Sequence, residues 1–161
     1  MDRPLVAASA CLLGSPVRYN GDACEFHPLS RRWSEHLRLL PVCPEVGIGL
    51  GTPRPSIRLS KGEKGVRLIE PRSGKDLTDA MVAWATRTAD DLAGLGVNGL
   101  VLKKDSPSCG VERVKVHPAK EGGPQRDGVG VFAMVFMALN PQIPVIEEGR
   151  LNDPNQAEHF L

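Results

Sequence analysis

Four cysteines, Cys11, Cys24, Cys43 and Cys109, carry the widest chemical range in this chain. No two of them form a C-x-x-C pair, so spacing alone leaves buried thiols, catalytic thiols and metal ligands all open. A lone free cysteine is most often a buried, inert side chain. Local context shifts that balance for Cys11, Cys43 and Cys109, each of which stands by Gly or Pro in a loop. There the backbone can bend around a ligand and turn its amides towards thiolates. The run Cys43, Pro44, Glu45 sets a carboxylate two residues beyond a thiol. A loop Glu is usually only solvated, but one held away from water has its pKa raised towards the range of a general acid or base. Ser106, Pro107, Ser108, Cys109 and Gly110 set two hydroxyls beside another thiol. Its plain reading is a turn, since Ser-Pro and Cys-Gly both form turns; its chemical reading is a pocket wall that orients substrate or water. Arg18, Tyr19, Arg54, Lys103 and Lys104 could donate to a planar polar ligand, although unpaired surface cations are the commoner explanation. His27, His36, His117 and His159 are scattered without H-E-x-x-H spacing, and no glycine-rich phosphate loop or G-x-S-x-G elbow is present.

The elements that must position these residues follow from periodicity. Leu5 to Ala10, Leu39 to Cys43 and Gly99 to Leu102 are short apolar runs that read as buried strands, each leading to a cysteine loop. Ligands of parallel α/β sheets bind beyond the carboxyl ends of the strands, where these three thiols fall. Residues 28–37 set Leu29, Trp33, His36 and Leu37 at helical spacing. Residues 56–60 and 66–70 alternate around a Gly-containing turn and predict a hairpin. The clearest helix spans 78–95, with Leu77, Met81, Trp84, Ala85, Thr88, Leu92 and Leu95 on one stripe, Thr78 able to cap its start and Gly94 and Gly96 at its end. Residues 132–139 predict a buried helix, 143–146 a last strand and 152–161 a terminal helix. The expected fold class is α/β: a single compact, three-layer-like domain over residues 1–161, with a mostly parallel sheet flanked by helices, a β-hairpin and ordered Gly/Pro-rich loops.

Composition narrows the partners. The chain has 161 residues, 20 Lys plus Arg against 19 Asp plus Glu, and a net charge of +1. That balance argues against a basic nucleic-acid clamp, and an aromatic content of 4% leaves few stacking platforms for single strands. No stretch approaches the ~18 apolar residues of a membrane span. The start, with one Arg, a Pro and an apolar run broken by Ser9, reads as a strand and not as a signal peptide, which places the protein in the cytoplasm.

Ser9 to Gly21 (SACLLGSPVRYNG), Cys43 to Pro55 (CPEVGIGLGTPRP), Leu102 to Gly110 (LKKDSPSCG) and Glu147 to Pro154 (EEGRLNDP) together resemble the thiouracil desulfurase family over nearly the whole chain. The resemblance implies a 4Fe-4S cluster held by three cysteines only, carried over onto Cys11, Cys43 and Cys109, with one iron left open. It further implies that the soft sulfur of a 2-thiouracil-like base binds the open iron and leaves as hydrosulfide, without net redox change, in a lyase or hydrolase reaction. By the same carry-over Glu45 moves the protons and a serine of the SPSC run assists (Ser106 ahead of Ser108); of the donors read from the residues themselves, Arg18, Tyr19 and Lys103 are expected to bind the substrate. Cys24 has no counterpart in that pattern and reads as a spare thiol, a resolving thiol or a fourth ligand. The form CPEVGIGLG also resembles family members that carry a second domain, so the substrate could be a free base, a nucleoside or a thiolated base in RNA. Three other readings compete, the plainest being a structural domain with buried thiols. A non-catalytic iron-sulfur sensor or binding module would use Cys24 as its fourth ligand. A zinc-dependent nucleobase hydrolase would match Cys43-Pro44-Glu45, but Glu112 stands where its second C-x-x-C cysteine is required.

Overall fold

In the computed structural model, which describes residues 2–160, eight strands fall into two four-stranded sheets. The first has the order β2-β1-β5-β8 and is parallel throughout, from β1 (Leu5–Ser9), β2 (Arg38–Val42), β5 (Gly99–Leu102) and β8 (Val145–Glu147). Ala7 stands between Leu40 on one side and Leu100 on the other, which makes β1 a central strand. Small and β-branched residues suit it, because a strand covered on both faces has no solvent side to serve. Val6 and Ala8 accordingly enter one buried cluster with Leu12, Leu29, Val101, Ile146 and Ala157, while Ala7 enters the other.

The second sheet has the order β4-β3-β6-β7, from β3 (Arg58–Gly62), β4 (Gly65–Ile69), β6 (Val114–His117) and β7 (Gln125–Gly128). Leu59, Leu68, Val114 and Val116 share a core with Ala7, Leu100 and Leu102 of the first sheet and with the helices α2 (Thr78–Gly94) and α3 (Val131–Leu139). Met81, Ala85, Ala89 and Leu92 form the buried stripe of α2, and Trp84 meets Phe132 of α3 with ring centroids 5.4 Å apart. A four-residue helical turn, α1 (Pro44–Gly47), follows β2, and α4 (Pro154–Phe160) covers the other face of the parallel sheet through Ala157. The expected α/β class is therefore found, with helices on both faces of a parallel sheet.

Several local expectations change. The hairpin is half of a second sheet whose other half has little hydrophobic signal: β7 reads Gln-Arg-Asp-Gly and is exposed except at Gly128. Leu95 lies beyond the end of α2 and is exposed, and Val97 is buried in its place. Thr78 does not cap α2; its hydroxyl accepts from the Leu68 N–H at 2.7 Å, and Asp76 Oδ1 accepts from the Thr78 N–H at 2.9 Å. Residues 28–37 make a wide turn, Pro28–Arg32, and then a tight one, Trp33–Glu35, so Leu29 is buried while His36 is exposed. The last strand starts two residues later than the apolar run, and the segment after Cys43 is helical at once.

Candidate active site

Three strand ends converge on one cavity. β1 stops at Ser9 and the chain tightens into a 3-10 turn, Ala10–Leu13, that carries Cys11. β2 stops at Val42 and Cys43 follows, at the start of α1. β5 stops at Leu102 and leads through a loop, turned at Asp105 with φ 62, to Cys109. All three cysteines line a cavity of about 380 Å³ together with Glu45, Arg54, Ser106, Arg18, Tyr19 and Lys103. Of the residues singled out for chemistry, only Ser108 and Cys24 fall outside that lining.

The Cys109 loop is fixed by the helix behind it. The Val131 N–H donates to the Pro107 carbonyl at 3.0 Å and the Phe132 N–H to the Ser108 carbonyl at 2.9 Å, so the first amides of α3, which lack partners within a helix, are satisfied by the loop. Gly130 permits this approach, since a Cβ there would stand 2.6 Å from the Ser108 oxygen and 2.7 Å from the Cys109 nitrogen. Within the loop, the hydroxyl of Ser106, which lines the cavity, accepts from the N–H groups of Ser108 at 3.2 Å and Cys109 at 3.0 Å, so its own O–H is left to donate. Ser108 is fully buried, and its hydroxyl donates to Glu45 Oε2 at 3.4 Å. The two serines thus serve different faces of the same loop.

Glu45 sits in the first turn of α1, and its other oxygen, Oε1, accepts from Arg54 Nε at 3.1 Å. The sequence suggests Arg54 as a donor to ligand or a surface cation; it is instead a buried partner of Glu45, its side chain only 5% exposed. Lys103 is placed with equal care. Its ammonium donates to Glu148 Oε1 at 2.9 Å, the Lys104 N–H donates to Oε2 at 2.9 Å, and the Lys103 N–H donates to the Ser9 hydroxyl at 2.9 Å. Burial works against the Lys103 charge, but the hydrogen bond and charge of Glu148 outweigh it and hold the ammonium above its ordinary pKa. Glu148 and its neighbour Glu147, which accepts from the Val111 N–H at 3.0 Å, lie in the EEGRLNDP segment, where the sequence alone assigns them no role. Two adjacent carboxylates after a short strand look like surface in a sequence, and only the parallel pairing of β8 with β5 turns them inward.

Cys109 is buried and Cys11 and Cys43 are partly so. Burial, and then the neighbouring Cys24, push the Cys11 thiol up to about 11. Burial also pushes Cys109 far above the ordinary thiol range; the Ser9 hydroxyl pulls it the other way, and Glu45, Cys11 and Cys43 add to the rise. Such thiols are poor free nucleophiles. A cationic centre of soft metal removes the cost of ionising them, and three sulfurs from three strand ends suit iron-sulfur chemistry better than hard cations. Among the described residues no trio of His, Cys, Asp or Glu is close enough to hold a single metal ion. A polynuclear cluster takes one thiolate per iron and so accepts ligands spread wider than those around one zinc. The residues present fit such a cluster. Cys24 is not in the cavity lining but lies beside it, its N–H donating to the Cys11 carbonyl at 3.1 Å, and all four thiols are free.

The sequence profile of the 2-thiouracil desulfurase family matches residues 6–148. A solved structure described as the 4Fe-4S-dependent thiouracil desulfidase TudS superposes with a TM-score of 0.74 at 32% identity, covering 99% of this chain and 100% of its own. YbbK, an uncharacterized protein of Bacillus subtilis (strain 168), is 28% identical over 154 residues, which is 92% of this chain and 99% of YbbK.

Proposed function

Because the chain belongs to the 2-thiouracil desulfurase family, we propose that it hydrolyses the thiocarbonyl of a 2-thiouracil-like pyrimidine, replacing sulfur by oxygen and releasing hydrosulfide. The observation that carries this reading is the meeting of Cys11, Cys43 and Cys109 in one cavity with Glu45 and Ser106. These three cysteines would hold a 4Fe-4S cluster, which when bound supplies a soft Lewis acid with a position open to the thiocarbonyl sulfur.

The protein's own residues do the rest. Glu45 Oε2 takes a proton from the water that attacks C2, while Arg54 on Oε1 and the Ser108 hydroxyl on Oε2 hold the carboxylate in place. Ser106, with both acceptor positions of its hydroxyl engaged by loop amides, turns its O–H to the base and orients it. Arg18 and Tyr19 line the cavity where the ring edge enters, and the Lys103 ammonium offsets the charge of the departing hydrosulfide. Atoms and charge balance: thiocarbonyl and water give carbonyl, hydrosulfide and one proton. We place the reaction in the cytoplasm, where reducing conditions keep the four thiols free. The chain is proposed to act as one iron-sulfur desulfurase-like domain over residues 1–161, its two sheets sharing a core.

Anaerobic loading with iron and sulfide followed by incubation with 2-thiouracil tests the reading. Uracil and hydrosulfide should appear in equal amounts, and release by zinc-loaded, iron-free protein would instead support a zinc hydrolase.

A further inference from the structure

Arg54 is tied to more of the site than any other side chain. Its Nε donates to Glu45 Oε1 at 3.1 Å, one terminal nitrogen donates to the Val17 carbonyl at 2.7 Å, and the other reaches the Gly51 carbonyl and the Thr52 hydroxyl, each at 3.2 Å. The Arg54 backbone N–H donates to the Tyr19 carbonyl at 2.7 Å. One planar guanidinium therefore spans the carboxylate, its own loop and the 17–19 segment that brings Arg18 and Tyr19 to the cavity. At 5% exposure for Arg54 and 16% for Glu45, the pair is shielded from the screening that makes surface ion pairs weak. The guanidinium makes four hydrogen bonds from its three nitrogens, and an ammonium could not reach the same set of acceptors from one point.

We propose that Arg54 is a positioning residue for the desulfuration reaction. It fixes the rotamer of Glu45 and, through Val17 and Tyr19, the distance between that carboxylate and the loop that receives the base. The proposal rests on the functional reading above and adds to it a link between the proton carrier and the substrate loop. Such a link makes substrate seating and carboxylate placement a single event, so that loosening one loosens the other. A displacement near 1 Å at the reacting atoms can lower a rate about 100-fold, so the loss should appear mainly in kcat.

The test joins a measurement on the cluster-free protein to one on the loaded enzyme. In proton–nitrogen NMR spectra of the cluster-free chain, the Arg54 Nε–H should exchange slowly with water, and Glu45→Gln should speed that exchange. Exchange as fast as at an exposed arginine would overturn the proposal whether or not the enzyme is active. With cluster content matched by iron analysis, Arg54→Lys and Arg54→Ala should lower kcat about 10- to 100-fold with a smaller change in KM, and added guanidinium ion should restore part of the Arg54→Ala loss where methylammonium does not. Wild-type kcat in Arg54→Lys would overturn the positioning role. If Arg54→Ala fails to take up the cluster, Arg54→Lys decides alone. If the loaded wild type fails to release uracil, the functional reading falls, while the exchange measurement still decides the clamp.

Discussion

At the residue scale the site separates groups that hold from groups that react. Cys11, Cys43 and Cys109 share the cavity, whereas Cys24 lies beside it, bonded through its backbone N–H to Cys11 and close enough for its thiol to act on that of Cys11. Replacing any of the three by serine should abolish iron binding and turnover, while Cys24→Ser should keep both; iron content and visible absorbance of each purified variant report this. Loss of iron in Cys24→Ser would favour a closed, four-thiolate site. Glu45→Gln leaves the thiols untouched and should retain the brown chromophore with turnover reduced about 100- to 10,000-fold, the usual range for a general base. Undiminished turnover would remove Glu45 from the chemistry. The thiols and Glu45 were legible in the sequence because their residue types are chemically distinctive and each follows a recognisable strand. The partner Arg54 was not, since nothing in Gly-Thr-Pro-Arg-Pro tells a buried arginine from an exposed one.

At the element scale the loop before Cys109 depends on α3, whose first amides are satisfied by loop carbonyls in place of a side-chain cap. Gly130→Ala would drive a methyl against the Ser108 carbonyl, and overpacking of this kind costs about 1–3 kcal/mol. The expected result is a lower melting temperature together with reduced iron retention; an unchanged melting temperature would show that the loop and helix can separate freely. A second junction lies at the start of α2. Burial opposes the charge on Asp76, but hydrogen bonds from Thr78 and Arg67 prevail and lower its pKa from 3.8 to about 2. A carboxyl depressed on folding stabilises the native state above its unfolded pKa and ceases to do so as pH falls through the folded one. Asp76→Asn should therefore lower the melting temperature at neutral pH, with the difference shrinking below about pH 4, reduced but still present at pH 2, and gone near pH 1. α2 was readable because its apolar stripe persists over four turns. β7 was not, because a short exposed strand of polar residues owes its pairing to β6 and carries no periodic signal of its own.

At the scale of the whole molecule, the two buried clusters meet the cavity only at its edge: Val42, Ile57 and Cys109 of the first line it, and Cys11 packs against the second. One lies on each face of the parallel sheet, and of the three cavity cysteines only Cys109 belongs to either set of buried residues. Removing iron with a chelator should leave the far-ultraviolet circular dichroism in place and lower the melting temperature by the binding contribution alone. Unfolding on chelation would make the cluster a structural centre. The net charge of +1 and a small neutral heterocycle as substrate require no electrostatic steering, so KM for 2-thiouracil should be nearly independent of ionic strength. Among the described residues no helix is long and apolar enough to cross a membrane. The central claim is that three thiols from three strand ends support a hydrolytic desulfuration. Its most direct test is the stoichiometry of uracil and hydrosulfide released from 2-thiouracil by anaerobically loaded protein of known iron content. The account predicts equal amounts of both, at a rate proportional to cluster content; a full complement of iron with no uracil formed would contradict it.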